Sequence, residues 1–510
     1  MSELLLNNVG RALLPARSKA GDYRASLVVS VAAASVSIFA GFGIAAWGTR
    51  PVSEAGLCIG ALALALWTVR RLGSAGVLVL LLVFLPLQGI VLTHAPHSAV
   101  VPIRYGPELL ALASAVWCVA TRPGFFAVRL RGLIAPLLSV ILVWGLSATV
   151  AGDGVRTVAI GFRAELSFMS LLLIAMTLPN PTRAAFGAAR TLLVTACIES
   201  ALAVAQYAVP GLRSPFAQDW VIRLGGQSSA SGPQRLDTVF GTFSNYNALG
   251  TYLVLAVIVA IAAGSEGLKL PRAATRGAIG VVLIGIVVSG SRESLVAALI
   301  ALMVIGRAKY RFPTYLVAAG VAVAALMLGA FNNASSPAQG RSLSGRIQTL
   351  VTPSAWAANY HTNFRSYYTV TEAHAVARTD PLLGYGLGTV TDQRKIADGT
   401  SPLYDTYAGQ QAVAFSYQYD SNWTVMLIET GFGGVAAFVW LLASFGRVAA
   451  GVRDHWLRWA VPAAIAVAVA LAFFAPVFQL PTFAAPLWLF AGLAIALRHQ
   501  ATAAASQSDS

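Results

Sequence analysis

The sequence predicts an all-α, polytopic integral membrane protein of about fourteen transmembrane helices, with one large polar loop before the last three. Three observations predict it. Hydrophobic residues make up 57% of the 510-residue chain and charged residues only 11%, whereas a soluble globular domain carries about a quarter charged residues. Apolar stretches of about twenty residues, the length that crosses a hydrocarbon core of ~30 Å, recur along the whole chain. Arginine and lysine concentrate in every second short loop.

Hydropathy places spans at Ala25–Trp47, Pro51–Thr68, Ala75–Leu92, Tyr105–Ala120, Leu133–Val150, Ile160–Thr177, Ala184–Val209, Asn247–Ala263, Ala278–Val288, Glu293–Ile305, Tyr315–Phe331, Trp423–Phe445, Ala460–Phe474 and Pro486–Leu497. Basic groups sit before the first span (Arg11, Arg17, Lys19, Arg24), then at Arg70–Arg71, Arg122–Arg131, Arg183–Arg190, Lys269–Arg276, Arg307–Arg311, Arg447–Arg458 and Arg498. That alternation predicts cytoplasmic termini over 1–24 and 498–510, helices over 25–331 and 423–497, and an extracytoplasmic loop over 332–422. The net charge of +15 is divided among these short loops, so it reads as the positive-inside pattern and not as a nucleic-acid footprint. Polar and basic residues precede the first span, so no cleavable signal peptide is expected. The three cysteines, Cys58, Cys118 and Cys197, fall inside predicted spans, without metal spacing or a disulfide framework.

The large loop is far longer than the ~4–6 residues usual between elements. It holds Trp356, Phe364, Phe415 and eight of the 15 tyrosines, a composition that predicts order. Several arginines fall on the same side, near span ends: Arg104, Arg163, Arg223, Arg235, Arg292, Arg346 and Arg365. Any one could snorkel to headgroups. As a set they point to an anionic substrate, because guanidinium forks match phosphate oxygens. Arg104 and Glu108 are one helical turn apart, a spacing that lets them pair. Glu199 and Gln206 lie within a span, where a polar side chain is either functional or hydrogen-bonded to a neighbouring helix. Pro381–Thr389 (PLLGYGLGT) lacks the strand–turn–helix context of a nucleotide loop and reads as a tight glycine turn. None of the six histidines has zinc spacing. His361 and His374 lie in the large loop and are candidate bases or solvated residues. Asp420 stands where the loop returns to the membrane; it is a candidate general base or the N-cap of the next helix.

Four elements, in this order, resemble the O-antigen ligase and polysaccharide polymerase family of bacterial envelopes. They are Arg235 with Gly241–Tyr252, then Ser289-Gly290-Ser291-Arg292, then Ser344-Gly345-Arg346 with Arg365 and Pro381–Thr389, and last Asn422–Gly434 with its Glu429-Thr430-Gly431-Phe432-Gly433-Gly434. They cover roughly the second half of the chain. Ligases of the family often carry His-Asn where this chain has Tyr419-Asp420-Ser421-Asn422, which leaves the polymerase branch the more open one. Peptidoglycan glycan polymerases look similar in using an outer-loop aspartate, a role that Asp420 would fit.

The resemblance implies a GT-C-like, metal-independent, inverting glycosyltransferase without a cofactor. Its donor would be a glycan on polyprenyl pyrophosphate at the outer face of the bacterial cytoplasmic membrane, and its acceptor a glycan or lipid-linked glycan. It implies catalytic roles for Asp420, Arg292 and Arg235. It implies substrate contacts from Arg346, Arg365, Asn247, Asn422, Arg163, Arg104, His374 and Tyr385. The expected partners are these substrates and the lipid bilayer, with no nucleic acid. The alternative is a transporter or flippase for an amphipathic anionic substrate, which would also place charged residues in the membrane. An internal repeat would mark that alternative, and none is evident.

Overall fold

The computed structural model describes residues 75–92, 97–121, 126, 129–130, 132–152, 154–216, 239–243, 245–311, 313, 364–391, 421–473 and 475–508. All regular structure in this part is helical. The helices are α1 (Ala75–Leu92), α2 (His97–Thr121), α3 (Ile134–Val150), α4 (Val155–Leu166), α5 (Ser170–Met176), α6 (Pro181–Ala208), α7 (Tyr246–Leu268), α8 (Arg272–Ser289) and α9 (Arg292–Ile305). They continue as α10 (Phe364–Thr379), α11 (Asn422–Ala450), α12 (Leu457–Leu471) and α13 (Pro481–Ser508). Each expected span within the described residues falls on a helix, except Ile160–Thr177, which runs over α4 and α5. The expected spans 25–47, 51–68 and 315–331 lie outside them.

Among the described residues, seven helical segments are long and apolar enough to cross a membrane, with α4 and α5 joined as one of them; α3 and α12 are shorter and apolar. The solvent they face is written on α3. Its inward side carries Pro136, Val140, Trp144, Ser147 and Ala148. Its outward side exposes Leu138, Ile141, Leu142, Leu146 and Val150. A stripe of large aliphatic side chains along a whole helix is stable against hydrocarbon and not against water. The protein is therefore a helical membrane protein.

Helix α7 packs against α6, α8, α9, α12 and α13, and α11 packs against α3, α10, α12 and α13. α7 and α13 are the most enclosed spans, and α8 leaves most of its surface outward. Between α3, α11 and α13 runs an aromatic column. Trp144 stacks on Phe438 at 5.8 Å, Phe438 meets Phe478 edge-on at 5.0 Å, and Phe445 meets Trp488 edge-on at 5.3 Å. Such offset and edge-on pairs add about 0.5–1.5 kcal/mol each beyond burial.

The short loops sort into two ends. At one, basic residues close neighbouring helices. The Arg129 guanidinium donates to the Met176 carbonyl. Arg190 Nε donates to the Leu268 carbonyl at 2.6 Å. Lys309 Nζ donates to the Ile261 and Ala262 carbonyls at 3.1 and 2.8 Å, which α7 frees where it breaks at Gly264. His455, in the loop after α11, stacks between Phe186 and Trp456. Burial pushes its imidazole down to about 4, so it stays neutral near pH 7. The other end gathers the polar turns, and the candidate site lies there.

Candidate functional site

Four segments meet at this end: α4, the turn Asp380–Thr391, the first half of α11, and the turn Ala475–Leu480 between α12 and α13. The glycine turn is held on a broken helix. α11 is interrupted at Gly431, whose φ of 64° and ψ of −172° are outside the helical region. A break in a span leaves carbonyls and N–H groups unpaired, which is tolerated in a membrane only where protein replaces the missing bonds. The turn supplies them. Tyr385 N and Gly386 N donate to the Ile428 and Glu429 carbonyls at 2.8 and 3.0 Å, while Phe432 N and Gly433 N donate to the Pro381 and Leu382 carbonyls at 2.8 and 3.1 Å. Gly384, Gly386 and Gly388 all have positive φ, the region that glycine occupies without strain.

Glu429 completes the dock. Its Oε1 accepts from Val390 N, Thr391 N and Thr391 Oγ at 3.0, 2.8 and 2.7 Å. Its backbone carbonyl also accepts from Ser147 Oγ of α3 at 2.7 Å. Two motif pieces that are separate in the sequence are thus one unit. Within it, Tyr385 is half-buried, with its hydroxyl 3.0 Å from Thr379 Oγ, and His374 is exposed on α10.

The start of α11 is fixed as firmly. Ser421 is its N-cap: the hydroxyl accepts from Thr424 N at 3.2 Å and donates to the Ala472 carbonyl at 3.0 Å. This corrects the N-cap reading of Asp420, because the cap falls one residue later. Asn422 is fully buried. Its Nδ2 donates to both oxygens of Glu165 at 2.9 and 3.0 Å, and its Oδ1 accepts from Phe478 N at 3.0 Å. Gln479 Nε2 donates to Glu165 Oε1 at 2.6 Å. The Asn422 amide is therefore occupied inside the protein. Sequence reasoning passed over Glu165, and its signal was a single carboxylate inside an apolar stretch.

One helical stretch away on α4, Arg163 grips Glu108 of α2 with two bonds, Nε to Oε2 at 2.6 Å and Nη2 to Oε1 at 3.0 Å. Its guanidinium also lies over the Tyr105 ring, 4.4 Å from the centroid. Glu108 therefore takes its ion-pair partner from another helix, where the expectation was Arg104, one turn away. The Arg163 guanidinium meets the carboxylate side-on with two parallel bonds, the strongest arginine–carboxylate geometry. Arg104 lies 5.7 Å from the same ring, and its carbonyl accepts from Gln88 Nε2 at 2.9 Å.

The motif around Asn247 is held from below by α6. Glu199 accepts from Thr242 N at 3.0 Å and from Thr242 Oγ at 2.6 Å. Gln206 accepts from Phe240 N and Gly241 N at 3.2 and 2.9 Å and donates to the Gly241 carbonyl at 2.9 Å. These two buried polar residues cradle a turn, where the sequence left open a functional role or a bond to a neighbouring helix. Asn247 Oδ1, on the first turn of α7, is buried with no hydrogen-bond partner among the described residues.

Ser289-Gly290-Ser291-Arg292 is a helix-to-helix corner. Gly290, at φ 69°, ends α8, and Ser291 Oγ caps α9 by accepting from Ser294 N at 3.3 Å. A Cβ on Gly250 of α7 would stand 3.0 Å from Ser291 Cβ. The corner that carries Arg292 therefore packs against the helix that follows the Arg235 motif. Asp420, Arg235 and Arg346 lie outside the described residues, as do the side chains of Arg292 and Arg365. Among the described residues, no group of three His, Cys, Asp or Glu side chains is placed to hold a metal ion.

No protein-family model matches the chain, and no curated protein matches it.

Proposed function

We propose that this protein is a membrane-embedded glycosyltransferase of the O-antigen ligase and polymerase type. It transfers or polymerises a glycan from a polyprenyl-pyrophosphate donor at the outer face of the cytoplasmic membrane, on a GT-C-like frame of about fourteen spans. The observation that carries this reading is the docked unit of Pro381–Thr391 and Glu429–Gly433, which ties the large loop to the helix on which it returns. The packing of the Ser289–Arg292 corner on Gly250 of α7 supports it further, since it sets that motif against the Gly241–Tyr252 motif.

In the mechanism, Asp420 takes the proton of the acceptor hydroxyl as that oxygen attacks the anomeric carbon. The bond to the pyrophosphate breaks with inversion. Arg292 and Arg235 meet the charge that grows on the leaving pyrophosphate. Such preorganised donors are worth roughly 2.7–4 kcal/mol each in other enzymes.

Purified protein in a bilayer disc, given a lipid-pyrophosphate glycan, should lengthen the chains or move them to a second molecule, releasing polyprenyl pyrophosphate. Asp420→Asn should abolish turnover and keep donor binding. Because Ser421 holds the cap, loss of activity in that variant is not a loss of helix start. Donor that crosses the bilayer unchanged, with no transfer, would establish the flippase alternative instead.

The topology has its own test. Cysteines placed at Ser335 and Thr400 should react with an impermeant thiol reagent in cells whose outer barrier is open. Labelling that requires rupture of the cytoplasmic membrane would refute an outer loop.

A further inference from the structure

We infer that Glu165 is the positioning residue for the start of α11, and through it for Asp420. The assignment to Asp420 rests on the function proposed above; the clamp itself does not.

The geometry is a closed ring of hydrogen bonds across three elements. Glu165 on α4 is 2% exposed and Asn422 on α11 is 0% exposed. Among the described residues, the carboxylate accepts from neutral amides alone, twice from Asn422 Nδ2 and once from Gln479 Nε2. Asn422 then spends its own oxygen on Phe478 N. The adjacent residues are anchored to α12 by Ser421 Oγ and Trp423 N, both donating to the Ala472 carbonyl at 3.0 and 3.3 Å. Trp423 Nε1 adds a bond to the Val469 carbonyl at 2.8 Å. A helix that only had to pack would not need a carboxylate here, since burying one demands full hydrogen bonding. The ring fixes the rotation and height of the residue two places after Asp420.

The ring can be broken and rebuilt. Glu165→Gln sets an amide N–H against Asn422 Nδ2, donor to donor. Turning Asn422 over would relieve this but would strand the Phe478 N–H. Asn422→Asp sets two carboxylates face to face. The double variant Glu165→Gln with Asn422→Asp rebuilds a bond between the two positions with amide and acid exchanged, and keeps the acceptors for Gln479 Nε2 and Phe478 N. Its carboxylate then lies at the first turn of α11, where the helix N-terminus favours a negative charge.

The test reads amide hydrogen exchange of the peptide covering Ser421–Met426 in protein reconstituted in bilayer discs, alongside glycan transfer. Each single variant should exchange there about ten- to a hundredfold faster, and the double variant should recover protection. Transfer should follow as a fall in kcat with donor KM unchanged within about twofold, recovering in the double variant. If a single variant at residue 165 or 422 fails to fold, Gln479→Ala, which removes one donor, should give the same change at smaller size.

Unchanged exchange in the single variants would overturn the proposal. So would a double variant no better than its parents, or a rise in donor KM at constant kcat. If exchange follows the expected pattern while the parent protein transfers no glycan, the proposed activity is wrong and the clamp stands.

Discussion

Gly431→Ala should cost about 3 kcal/mol or more and leave little folded protein in detergent. At φ 64° and ψ −172° the backbone lies in a region open almost only to glycine. The added Cβ would also meet backbone on the docked turn: the carbonyl carbon and oxygen of Leu382 at 2.5 and 2.6 Å, and Leu383 N at 2.7 Å. No side chain can swing away to relieve this, so the turn must leave the helix. Its departure would take away the partners of the Ile428 carbonyl and of the Phe432 and Gly433 N–H groups inside the membrane, where each unpaired group costs several kcal/mol. Gly280→Ala on α8 is the control, because a Cβ there meets nothing within 4 Å and alanine favours the helix by about 0.8–1.0 kcal/mol. Thermal unfolding of the two variants in one detergent makes the comparison. Equal midpoints would mean that the dock does not hold the fold.

Arg292→Lys should fail nearly as badly as Arg292→Ala, each lowering glycan transfer by about a hundredfold or more at matched expression. Lysine keeps the charge but loses the planar fork that grips two phosphate oxygens at once. An arginine that only anchors the α8–α9 corner to headgroups would tolerate lysine, since both side chains snorkel. The corner itself does not depend on the arginine, because Gly290 and Ser291 build it. Near-normal transfer by Arg292→Lys would remove the phosphate role. A variant that loses transfer together with its folded yield would point to the corner instead.

Much of the architecture was legible because apolar length is a local property, and α3, α6 and α12 begin and end close to where hydropathy places them. The tight glycine turn was legible too, since Gly384, Gly386 and Gly388 at alternate positions admit few other backbones. Its partner was not, because a dock made mostly backbone to backbone leaves few side-chain marks, here Glu429, Gly431 and Gly433. Pairings across the fold were the main losses. Glu108 could be assigned from sequence only to its helical neighbour Arg104, whereas Arg163 reaches it from another helix. Glu165 finds its partners at Asn422 and Gln479, far along the chain, and no spacing rule connects them. The cap at Ser421 was missed by one residue, since Asp420 and Ser421 suit that position equally well in sequence.

The break in α11 sets an order for biogenesis. A chain is made from its N-terminus, so Pro381–Thr391 is already present when Asn422–Ala450 enters the bilayer. The interrupted span can therefore find the strip of backbone that completes it as soon as it arrives. The first turn of the same helix must wait, because its partners Ala472, Phe478 and Gln479 follow α11 in the chain and emerge after it. The middle of α11 is thus secured early and its tip late. A nascent chain released before Gln479 would hold a membrane-inserted, docked helix whose first turn had not yet been locked.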